Sequence, residues 1–98
     1  MFIILVDEKK VGCIGVRFLD KIWDMYNFII GEEEYKRIGL ARRAWEEVVF
    51  FAIQRIDLPI IFKVTKENIT GFNWYIKNGS EIVLEYPDHY LMKYKRKI

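Results

Sequence analysis

Two hydrophobic periods meet near Gly31, and their succession constrains this chain more than any other feature. Before that point, three apolar runs rich in Ile, Val and aromatic residues (2–7, 11–20 and 22–30) read as β-strands. Polar breaks, Asp7-Glu8-Lys9-Lys10 and Asp20-Lys21, separate them, so residues 2–30 predict an antiparallel three-stranded meander. Beyond it the period becomes helical. Ala41, Ala44, Trp45, Val48, Ala52 and Ile56 recur at spacings of three and four, while Arg42, Arg43, Glu46, Glu47 and Gln54 take the other side. Phe50 and Phe51 widen the apolar stripe, which predicts a helix covered over much of its surface. Asp57-Leu58-Pro59 ends it, because proline disfavours a helical residue before it.

The rest alternates strand and helix. Residues 60–64 are almost wholly apolar, as in a strand buried on both faces. Thr65-Lys66-Glu67-Asn68 supplies capping side chains for a short helix over 69–77, with Phe72, Tyr75 and Ile76 as its apolar set. Asn78-Gly79 stops it, since both residues tolerate the left-handed conformation of a helix end. Residues 81–86 and 89–95 are two further strands around a Pro87-Asp88 turn. The prediction is α+β: a single domain over 1–98, order βββ-α-β-α-ββ, with a mixed, mostly antiparallel six-stranded sheet and two main helices.

Composition excludes several function classes. Hydrophobic residues make up 52% and charged residues 31% of the 98, so the chain is neither disordered nor long enough for a second core. No uninterrupted apolar run approaches the ~20 residues of a membrane span, and the first residues lack the basic start and small-residue cleavage site of a secretory leader. A soluble cytoplasmic chain without membrane partners is expected. Cys13 is the single cysteine, which excludes an internal disulfide and a cysteine-based zinc site. His89 is the single histidine and supports neither metal ligation nor a Ser-His triad, so no metal is expected. A net charge of +2 is too small to argue for nucleic acid, and the Lys93, Lys95, Arg96 and Lys97 tail reads as a solvated strand end.

Chemistry concentrates where sheet turns into long helix. Lys36-Arg37-Ile38-Gly39-Leu40-Ala41 puts small residues at 39 and 41 and four cations nearby, at a point where unpaired N–H groups and the helix dipole favour an anion. Asn68 opens the next helix, Tyr75 follows seven residues on, and Lys77-Asn78-Gly79 closes it. In these two motifs, their separation and its element order, the chain resembles the GNAT acetyltransferase superfamily. The family's first motif is Gln or Arg, two residues, Gly, one residue, then Gly or Ala; Lys36 stands in the first place here.

The resemblance implies a donor, acetyl-coenzyme A, and a role for each part. Backbone N–H groups from Arg37, Ile38, Gly39, Leu40 and Ala41, behind Lys36, would hold the pyrophosphate. The end of the third strand, at Ile29, Ile30 and Gly31, would hydrogen-bond the pantetheine and form an oxyanion hole. The third and fourth strands would run parallel and splay to admit the cofactor. Asn68 would hydrogen-bond the cofactor arm, and Tyr75 would be the catalytic acid that protonates the departing thiolate. With an ordinary phenol near ~10 and a thiol near ~8.5, that transfer is uphill by roughly 1.5 units, about 2 kcal/mol.

Three departures qualify the match. Against the family pattern the chain starts at the second strand, without the first strand and two helices that shape the acceptor side. An open acceptor site, a wall supplied by a partner chain and lost acceptor chemistry are the alternatives, and an uncovered sheet edge favours a homodimer. Ser80 stands where an aromatic residue is usual. No general base is evident either. Its usual place falls near Met25, Asp24 should point to the opposite sheet face, Asn27 shares Met25's face, and Glu32 to Glu34 read as a solvated acidic stretch. A lysine amine near ~10.4 is neutral in only about one molecule in two thousand at pH 7, an α-amine near ~8 in roughly 10%. The expected acceptor is therefore a primary amine of the second kind: a protein N-terminus or a weakly basic small molecule. The alternative is a non-catalytic interaction module with this fold that still binds coenzyme A.

Overall fold

The computed structural model describes residues 1–30 and 39–95. In chain order its elements are β1 (Phe2–Val6), β2 (Lys9–Leu19), β3 (Ile22–Ile30), α1 (Leu40–Arg55), β4 (Ile60–Thr65), α2 (Ile69–Lys77), β5 (Ser80–Glu85) and β6 (His89–Tyr94). They form one six-stranded sheet in the order β1-β2-β3-β4-β6-β5. Every neighbouring pair is antiparallel except β3 with β4, which the α1 crossover makes parallel. The first two hairpins turn through Asp7-Glu8 and Asp20-Lys21, all four at positive φ. That geometry matches the twist of the flanking strands and needs only two residues, so β2 begins at Lys9 rather than Val11.

Both helices lie on one face of the sheet. Beneath them are buried Ile4, Ile14, Trp23, Met25, Ile30, Ile60, Phe62, Val64 and Met92, met by Ala44, Trp45, Val48, Val49 and Ala52 of α1. From α2, Tyr75 packs on Phe62 (ring centroids 4.6 Å apart) and Phe72 on Tyr90 (4.9 Å). Among the described residues no helix covers the opposite face, where Ile3, Leu5 and Ile29 are each more than half exposed. The expectation of a largely covered α1 is corrected by the same arrangement. With cover on one side only, Phe50 points outward at 64% exposure, and Phe51 is sheltered chiefly by Phe2 and by the Arg55 guanidinium 4.3 Å above its ring. In α2, Trp74 joins the packed set while Ile76 stays exposed.

Trp45 is the hub of the interior. Its indole lies 5.2–5.9 Å from the rings of Phe28, Phe62, Trp74, Tyr75 and Tyr94, and so joins β3, β4, β6 and α2 to α1. Among the described residues its Nε1 is the one buried side-chain nitrogen or oxygen without a hydrogen-bond partner. Several of the surrounding rings meet the indole edge to face, an environment in which an N–H finds partial compensation from aromatic faces.

Candidate functional site

The site is built on a parallel pair that parts. β3 and β4 are paired at Trp23 with Ile60 and Asp24 with Ile61, and the Trp23 N–H donates to the Pro59 carbonyl at 2.9 Å. Past these positions the ladder stops, although β3 continues to Ile30 and β4 to Thr65. The result is a wedge whose edges present backbone donors and acceptors with no partner across the gap, available to an extended ligand carrying amides. On the helix face it is floored by Phe28, Phe62, Trp45 and Tyr75.

A bulge reshapes the β3 lip. Register slips between Cys13 and Gly15, so that Asn27 and Phe28 together oppose Ile14, and Asn27 takes φ 48°. Asparagine is among the few residues that adopt this left-handed conformation at low cost. The Cys13 thiol donates to the Asn27 carbonyl at 3.4 Å, and Gly12 lets the strands approach closely, since a Cβ there would lie 2.2 Å from the Ile29 carbonyl oxygen. The bulge also corrects one expectation. Asn27 does not continue Met25's inward face; Phe28 and Ile30 do, and Asn27 is exposed. Strict alternation over residues 22–30 concealed this, although an asparagine in the middle of an apolar strand was the available signal. Asp24 points away from Met25 as expected, and there the Arg17 Nε donates to its carboxylate at 2.8 Å.

At the mouth of the wedge stands the start of α1. Gly39 is its N-cap at φ 74° and has no side chain to cap the first amides, and among the described residues a Cβ at Gly39 would meet nothing within 4 Å. Trp45 lies six residues on, so the open helix end is ~9 Å from the aromatic floor. Leu40 and Ala41 follow, half-buried. Of the motif's cations, Arg42 and Arg43 are held by Glu46 (3.0 Å) and Glu47 (3.4 Å) one turn on. Gly31, Lys36, Arg37 and Ile38 lie outside the described residues, as do Glu32 to Glu34; Ile29 and Ile30 end β3, the first exposed and the second buried.

Asn68 and Tyr75 sit on α2, on the β4 side of the wedge. Asn68 is the N-cap and is exposed; its Oδ1 accepts from the Gly71 N–H at 3.0 Å, which leaves its amide nitrogen for a ligand. Tyr75 is packed among Trp45, Phe62 and Trp74. Burial pushes its phenol up to about 12. Its ionisation should therefore be the most alkaline step in a titration of the six tyrosines, and should vanish in Tyr75→Phe. A raised native pKa also means that the stabilisation tied to the neutral phenol is complete below pH ~10 and lost as pH rises toward 12. All tyrosines ionising together near pH 10 in the native chain would contradict this.

Two cavities flank α1. The smaller, about 210 Å³, lies between Arg42, Trp45, Lys77, Asn78, Tyr94 and Lys95 and so joins the N-terminal turns of α1 to the end of α2. The larger, about 1080 Å³, is a groove of mixed lining, with Val49, Phe50, Ile53 and Pro59 beside Glu46, Asp57, Lys93 and Lys95, at the closed end of the parallel pair. Among the described residues no group of three or more His, Cys, Asp or Glu is placed to hold a metal ion, and no helix is long and apolar enough to cross a membrane.

No family model matches the chain, and no curated protein is significantly similar to it in sequence. Solved structures are similar. The PaiA N-acetyltransferase of Thermoplasma acidophilum, in complex with coenzyme A, superposes with a TM-score of 0.84 at 18% identity, covering 94% of this chain and 57% of that one. A GNAT family acetyltransferase from Elizabethkingia anophelis with acetyl-CoA bound gives 0.81 at 14% identity, over 96% and 74% of the two chains. A GNAT family acetyltransferase from Staphylococcus aureus Mu50 gives 0.74 at 13%, over 89% and 61%. The chain thus spans little more than half the length of the first of these. In strand order, in the parallel pair that parts and in the helices that follow, this chain has the fold of the GNAT acetyltransferases.

Proposed function

We propose that the chain binds acetyl-coenzyme A in the β3–β4 wedge and transfers the acetyl group to a primary amine by direct attack. The observation that carries this reading is the parting of β3 from β4 after two paired positions, with the glycine-capped start of α1 at the mouth of the gap. The first amides of α1, at Gly39, Leu40 and Ala41, would take the pyrophosphate, and the unpaired edge of β3 near Ile29 and Ile30 the pantetheine amides.

Tyr75 acts in this scheme as a hydrogen-bond donor to the sulfur. With its phenol at about 12 and a thiol near ~8.5, full transfer is uphill by roughly 3.5 units, about 5 kcal/mol, against about 2 for an ordinary phenol. That raised value favours a second reading, a coenzyme A-binding module without turnover, in which Tyr75 is structural. Turnover separates the two. Mixed with acetyl-coenzyme A and peptide amines, the chain should acetylate an α-amine faster than a lysine side chain, and Tyr75→Phe should lower kcat while leaving the acetyl-coenzyme A dissociation constant nearly unchanged. Equal rates on the two amines would refute the acceptor preference; binding without transfer to any amine would establish the module. We also propose a homodimer, on the ground that β1 ends the sheet with Ile3 and Leu5 exposed.

A further inference from the structure

The proposed reaction leaves one proton without a destination, because the attacking amine must lose it as the C–N bond forms. The helix face of the wedge is closed by α1 and α2, so an acceptor reaches the thioester from the opposite, uncovered face. On that face the β4 lip ends at Thr65, and Thr65 is paired with His89 of β6. Tyr90 and Met92 face the helices, so alternation turns His89 toward the uncovered side, one strand spacing (~5 Å) from the lip.

The imidazole is held there. Its Nδ1 lies 2.6 Å from the Asp88 carboxylate, and the Tyr86 ring stacks on it at 4.6 Å and 12°. A carboxylate only accepts, so Nδ1 carries the hydrogen and the Nε2 lone pair is left free. The side chain is 19% exposed, against 80% for Asp88. The hydrogen bond from His89 holds the Asp88 carboxyl below the usual carboxylate range, with a smaller contribution from Lys63 on β4. Lys66, the residue after β4, is held by Glu85 of β5 at 2.6 Å and lies over the Tyr90 ring, and it also interacts electrostatically with Asp88.

We propose that His89, oriented by Asp88, is the general base of the acyl transfer. This rests on the acetyl-transfer reading above. The amine nitrogen attacks the thioester carbonyl carbon, the C–N bond forms and the C–S bond breaks. The proton lost by the nitrogen passes through water on the uncovered face to His89 Nε2 and from there to solvent. The departing thiolate, held by the Tyr75 hydroxyl, takes a proton from water. The products are an N-acetyl amide and free coenzyme A. Imidazole suits this task because the ring nitrogen not bonded to Asp88 carries a lone pair that can accept the amine's proton.

The test compares the unaltered chain with His89→Gln, His89→Ala and Asp88→Asn, using acetyl-coenzyme A and a peptide with a free N-terminus. His89→Gln should lower kcat about a hundredfold, with the acetyl-coenzyme A dissociation constant within twofold. Imidazole added to His89→Ala should restore part of the rate, which no structural role would allow. Asp88→Asn should lower the rate less. Wild-type rates in His89→Gln, or failure of imidazole to rescue His89→Ala while that variant still binds acetyl-coenzyme A, would overturn the base alone. If the unaltered chain binds the donor and acetylates nothing, the acetyl-transfer reading and the base fall together.

Discussion

Replacing Trp45 with alanine should destabilise the chain by about 3–5 kcal/mol, a large share of the about 5–15 kcal/mol by which a small domain is stable. Trp45 is 2% exposed and touches five rings drawn from β3, β4, α2 and β6. No neighbouring side chain is placed to collapse into the space, because those rings are themselves pinned to separate elements. The loss should therefore sit near the upper end for a large-to-small change. Urea unfolding followed by circular dichroism measures it without relying on the tryptophan that has been removed. Trp45→Phe should cost less, since it keeps an aromatic face in the cluster and removes the buried N–H that has no acceptor. A loss below about 1 kcal/mol for the alanine variant would show that the aromatic floor of the wedge is not a cooperative unit.

The second large effect is on binding. Gly39→Ala should weaken coenzyme A at least tenfold and cost only about 1 kcal/mol of stability. The two numbers have separate causes. At φ 74° an L-residue is strained, which gives the modest stability term. Among the described residues the added methyl meets nothing within 4 Å, so it should project into the space above the first amides of α1. If a diphosphate occupies that space, the methyl displaces it. Titration calorimetry on the two chains separates the effects, and an unchanged dissociation constant in the variant would place the phosphates elsewhere.

Much of the fold was legible because two periods are written plainly in the sequence. Asn68 with Tyr75, and Gly39 with Ala41, stand on the elements expected of them, and β3 and β4 are parallel. What was hidden depends on third partners. Phe50 and Phe51 widen the apolar stripe of α1, yet only a neighbour could have covered them, and both helices share a single face of the sheet. The bulge at Asn27 depends on how β2 and β3 slip against each other, which strict alternation along one strand cannot express. The Tyr75 phenol looked ordinary in sequence because its elevation comes from burial among residues distant in the chain. The pairing of His89 with the end of β4 is likewise a matter of register, invisible until β6 is placed between β4 and β5.

The decisive comparison is the affinity of the unaltered chain for coenzyme A and for pantetheine, which shares the arm but lacks the diphosphate and nucleotide. A helix start that grips phosphate requires coenzyme A to bind at least tenfold more tightly, with the gap narrowing as salt is raised. At a hundred times its dissociation constant, coenzyme A should then stabilise the fold by about 2.7 kcal/mol. Equal affinity for the two ligands, or no saturable binding of either, would contradict it.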